Sequence, residues 1–95
     1  MIGTHRTTIT NTITPNYTIT KICYHDTKVV QFDNDIICLD TGGYFTATTK
    51  RRMNQASLQY DLNYHVYQKD YIWYCNYDNK NFCFSQNKLV LPRTH

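Results

Sequence analysis

Apolar residues gather in three early stretches of the chain, over residues 18–25, 28–32 and 36–39, with polar turn-forming residues between them. Short runs rich in β-branched and aromatic residues and bounded by turn signals predict β-strands, in which the side-chain period is two. Asp26-Thr27 and Asp33-Asn34-Asp35 lie between them as turn formers, and three consecutive antiparallel strands are the simplest arrangement. Thr41-Gly42-Gly43 then breaks the pattern, since adjacent glycines admit positive φ without steric conflict. Beyond the glycines the period lengthens to about 3.6 residues. Thr49, Met53, Ala56, Ser57 and Tyr60 fall on one face of a helix over 48–61, with Lys50, Arg51, Asn54 and Gln55 on the other. Thr46, Thr48 and Thr49 are its candidate N-caps.

Strand material resumes over 64–68 and 71–75 around a turn at Lys69-Asp70. Residues 76–81 read as a loop, with short strands at 82–84 and 89–91 before Pro92. The expected fold is α+β: a small antiparallel sheet of about five to six strands with one central helix packed on one face, in the order βββ-α-βββ. Residues 1–17, rich in Thr and thin in apolar anchors, read as an N-terminal arm or edge strand, and residues 18–95 as a single α+β domain.

Composition narrows the class. With 95 residues, 41% hydrophobic and only 18% charged, the chain can build one modest core and does not read as disordered. No apolar run approaches the length of a membrane span or a signal peptide, so the expected setting is cytoplasmic, with no membrane partner. In that setting Cys23, Cys38, Cys75 and Cys83, each in a strand-like apolar neighbourhood, read as small hydrophobes. Their spacings match no zinc pattern, and neither a metal nor another cofactor is expected. The seven carboxylates sit at turns and element ends, and Cys23 and His25 lack a third partner, so no enzymatic centre is expected.

The chemistry that stands out is cationic. A formal net charge of +3 favours phosphate contacts without requiring them. Lys50, Arg51 and Arg52 crowd the first turns of the helix, where the macrodipole is positive and acids would be stabilising. An anion there could accept bonds from open amides, from Thr46, Thr48 and Thr49, and from Lys50, Arg51 or Arg52, with Tyr44 packing alongside. This constellation is the expected site for nucleic acid or another phosphate-bearing ligand; the plainer account makes it a capped helix with a solvated basic face. It is neither a Walker loop nor a dinucleotide fingerprint.

The second cluster is aromatic. Alternation places Tyr71, Trp73 and Cys75 on one face of a hairpin and Ile72 and Tyr74 on the other. One helix covers only one face, so Tyr71, Trp73 and Tyr74 are the alternative site, a surface for a host protein. Cross-strand pairing within the sheet is the competing account.

Residues 24–30, and above all Thr41-Gly42-Gly43-Tyr44-Phe45 leading into Thr48-Thr49-Lys50-Arg51-Arg52-Met53-Asn54-Gln55, resemble a group of short, uncharacterised bacteriophage proteins. Val66-Tyr67-Gln68-Lys69 and Trp73 resemble that group's following hairpin, and Tyr44 stands where a Trp is expected. The resemblance implies a phage origin and action in the host cytoplasm; it implies no activity, cofactor or catalytic residue.

Overall fold

The computed structural model describes residues 7–24, 27–43, 45–84 and 87–93. Four strands lead into the helix: β1 (Thr7–Ile13), β2 (Thr18–Tyr24), β3 (Thr27–Phe32) and β4 (Ile36–Asp40), then α1 (Ala47–Gln59). Four more follow: β5 (Tyr64–Lys69), β6 (Ile72–Tyr77), β7 (Lys80–Cys83) and β8 (Lys88–Pro92). The fold is α+β with antiparallel pairing throughout, and it differs from the expected single sheet. The strands divide into a five-stranded sheet, β1-β2-β3-β4-β8, and a three-stranded sheet, β5-β6-β7.

The division has a local cause. Strand β5 cannot add to the first sheet because the helix occupies its outer edge. Ser57 Oγ donates to the carbonyl of Tyr64 at 2.7 Å and accepts from its N–H at 3.0 Å. The Asn54 amide does the same for Val66, at 2.9 and 2.7 Å. Helix residues three apart thus meet strand residues two apart, and their side chains stand in for a neighbouring strand. The final strand instead returns to the first sheet, pairing Ile37 with Leu91 and Leu39 with Leu89.

The helix lies between the sheets and packs against β2, β3 and β5. Ile22, Val30, Ile37, Leu39 and Leu91 from the first sheet meet Met53 and Ala56 from the helix and Val66, Trp73 and Cys75 from the second, all buried. A β-bulge between Ile22 and Cys23 leaves Val29 as the extra residue, itself buried.

The helix begins at the first of its candidate caps, Thr46, whose Oγ1 accepts from the Thr49 N–H at 3.2 Å. At the other end Asp61 adopts φ +55 and the Leu62 N–H reaches back to the Ser57 carbonyl, a Schellman closure with Asp in the place glycine prefers. Both hairpins of the second sheet turn on two left-handed residues, Asp70-Tyr71 and Asp78-Asn79, the geometry of type I′ turns. The expected loop over 76–81 is therefore only a two-residue turn, and the first turn falls one residue later than Lys69-Asp70.

Candidate functional site

The basic helix start forms as a helix start, yet most of its side chains are engaged inside the protein. Thr46 is extended (φ −111°, ψ 159°), and its hydroxyl, which caps the Thr49 amide, also lies 3.1 Å from the Thr49 hydroxyl. Thr49 is fully buried. Arg52, only 6% exposed, donates from Nε to Thr7 Oγ1 at 3.0 Å and from Nη1 to Gln55 Oε1 at 3.1 Å. Its guanidinium also sits 5.7 Å from the centre of the Tyr24 ring. A cation expected to face a ligand instead ties the helix to β1 and β2, through neutral oxygens and an aromatic face.

Lys50 is half-buried, with Nζ 5.7 Å from the Trp73 ring. Thr46 and Arg51 are exposed and Thr48 half-buried, so these three, with Lys50, are the predicted site residues that the start offers to solvent. Tyr44 lies outside the described residues, as do His25 and Asp26. The glycines make the turn into the helix: Gly42 (φ +62) and Gly43 (φ +88) donate to Asp40 Oδ1 and Thr41 Oγ1. A Cβ on Gly42 would fall 2.5 Å from Thr27 Oγ1, so this position needs glycine both for φ and for space. No acid occupies the first helical turn.

The aromatic hairpin divides differently from the expectation. Trp73 is 4% exposed, on the inner face with Cys75 and Tyr77, and so is no contact residue. Phe45 and Phe84 meet its ring edge-on, at 5.2 and 6.0 Å between centroids, while Lys50 approaches it from the helix. Tyr71 belongs to the turn and follows no alternation: it is 94% exposed at φ +67. The outer face carries a row of rings, of which sequence reasoning had placed only Tyr74 in the candidate site. His65 stacks on Tyr67 at 6.3 Å, and Tyr67 on Tyr74 at 5.6 Å. The Tyr67 hydroxyl donates to Asn81 Oδ1, which also accepts from Asn76. Ile72, 46% exposed, lies opposite Lys69 at the tip of the same face. The signal was the alternation itself, which places 65, 67, 72 and 74 together once the turn is set at 70–71.

Nucleophilic chemistry finds little support in the thiols. Burial pushes the Cys75 thiol up to about 12, and burial followed by the Asp33 carboxylate raises that of Cys38. Both changes favour the protonated, unreactive form. Among the described residues no cluster of three or more His, Cys, Asp or Glu side chains could hold a metal ion. A depression of about 210 Å³ on the outer face of the five-stranded sheet, lined by Lys28, Gln31, Cys38, Lys88 and Val90, is smaller than ordinary small-molecule sites. Among the described residues no helix is long and apolar enough to cross a membrane.

The chain that folds in this way belongs to a family of bacteriophage proteins. The Kyanoviridae Gp96 protein family matches residues 2–90, and the chain is a member of it. No curated protein and no solved structure matches the chain.

Proposed function

We propose that this small phage protein is a protein-binding module that acts in the infected host cell, with the tip and outer face of the β5-β6-β7 sheet as its contact surface. One observation carries the reading: Tyr71 holds a large aromatic ring 94% exposed in a left-handed conformation that disfavours any side chain. That backbone costs about 1–2 kcal/mol for a residue with a Cβ, and the exposed ring recovers none of it in the free protein. Strain of this kind at an exposed tip is a reason to look for function. Ile72 extends the apolar surface, and the Tyr67–Tyr74 stack provides a rigid amphipathic floor suited to an interface.

The test is affinity capture from infected host lysate, treated with nuclease, using wild type, Tyr71→Gly and Tyr74→Ala. Proteins retained by wild type and lost from Tyr71→Gly are the expected outcome. Identical retention by all three variants, or capture that vanishes with nuclease, would remove this reading. Trp73→Ala is unsuitable as a contact variant because it hollows the core.

A second reading, phosphate or nucleic-acid binding at the helix start, is favoured by three cations gathered where no acid balances the dipole. Of the side chains expected there, Thr46, Thr48, Lys50 and Arg51 are open to a ligand, while Thr49 and Arg52 support the helix start from inside. Labelled single-stranded DNA and RNA should then bind more weakly as salt rises, and Arg51→Glu should abolish binding. Absence of binding at about 50 mM salt would exclude it.

A further inference from the structure

The two sheets have four edges among the described residues, and three are blunted. The β5 edge is capped by Asn54 and Ser57. Strand β7 has only four residues and carries Lys80, while β8 carries Lys88 and ends on Pro92, which has no N–H to offer. Strand β1 has none of these protections. Its stretch from Ile9 to Ile13 is regular, uncharged, free of Pro and Gly, and exposed, and no described strand pairs with its far side. Such an edge is a template for another strand.

From this contrast we infer that the β1 edge pairs with β1 of a second copy of this chain, giving a two-fold dimer with a continuous ten-stranded sheet. The sequence of the strand selects the partner and the register. A two-fold axis normal to the sheet keeps each residue on its own face, so antiparallel self-pairing must centre on a residue. Centring on Asn11 sets Ile9 opposite the second copy's Ile13, Thr10 opposite Thr12, and Asn11 opposite itself. Centring on Thr10 or Thr12 would instead set an isoleucine against Asn11.

The chosen register buries the side chains that most need it. Ile9 is 40% and Ile13 77% exposed, both on the helix side of the sheet at its outer strand, while the helix packs on β2 and β3. Asn11 Oδ1 already accepts from Thr20 Oγ1 at 2.8 Å, which orients the amide and leaves Nδ2 for the axis. The inference does not depend on the hairpin surface.

Sedimentation or light scattering over a concentration series tests it. Wild type should rise from 11.3 kDa toward twice that mass. Ile9→Lys/Ile13→Lys should stay monomeric, as should Ile9→Glu/Ile13→Glu, because the register sets like charges opposite one another. An equimolar mixture of the two should recover the dimer. Asn11→Asp, nearly isosteric, should weaken dimerisation several-fold at neutral pH even if the double variants fold poorly. A wild type that remains monomeric up to millimolar concentration, a lysine variant that still dimerises, or a mixture of folded variants that stays monomeric would overturn the proposal.

Discussion

Among the described residues, six other than glycine have positive φ: Asp61, Asn63, Asp70, Tyr71, Asp78 and Asn79. Five are Asp or Asn, whose short polar side chains tolerate this region, and Tyr71 is the exception. Tyr71→Gly should therefore raise unfolding free energy by about 1 kcal/mol, read from denaturant melts, while weakening partner capture. A loss of stability in that variant would mean that the ring packs on the fold. Sequence reading found the turn but set it one residue early, because Tyr in a run of Ile, Trp and Tyr reads as strand.

A second residue-scale consequence follows from Cys75. An unfolded thiol titrates near 9.0 and the buried one only at about 12, so the folded state keeps a proton that the unfolded state has shed. Stability from this group is intact below pH 9 and falls as pH rises toward 12. Denaturation midpoints compared between wild type and Cys75→Ala from about pH 8 to pH 10.5 should show a shallower alkaline loss in the variant.

At the scale of elements, the helix was the most legible part of the chain. Its period, its buried face and a cap at Thr46 were all in the residue order, because they depend on neighbours three or four positions apart. The role of Asn54 was not legible; it reads as a polar outer-face residue and in fact closes the edge of β5. Arg52 likewise reads as a cation facing a ligand or solvent, yet its partners Thr7 and Tyr24 come from strands far back in the chain. Asn54→Ala would leave the N–H and carbonyl of Val66 unpaired at a partly buried junction. We expect it to cost about 1–3 kcal/mol in thermal or denaturant unfolding, where an ordinary surface Asn→Ala changes little. The candidate site followed the same division: the cationic pattern was visible in sequence, its internal engagement only in space.

For the whole molecule, strand order was the least legible feature. Local alternation marks where strands are, and nothing in it says that β8 leaves its nearest neighbours to pair with β4. That return is latched at both ends: the Thr41 N–H donates to the Asn87 carbonyl, and Arg93 donates to the carbonyls of Asp33 and Asp35. A chain stopped after Asn87 should accordingly lose Leu91 from the core and appear in the insoluble fraction on expression, with full-length protein soluble. A truncated chain that is soluble and folded by circular dichroism would show that β8 is dispensable.

The placement of β8 also bears on how the protein is made. Ribosomes deliver the β4 seam well before the strand that seals it, so during every round of synthesis Ile37 and Leu39 wait beside an open margin. In a cell crowded with identical nascent chains, the interval before β8 emerges is when this fold is most exposed to mispairing.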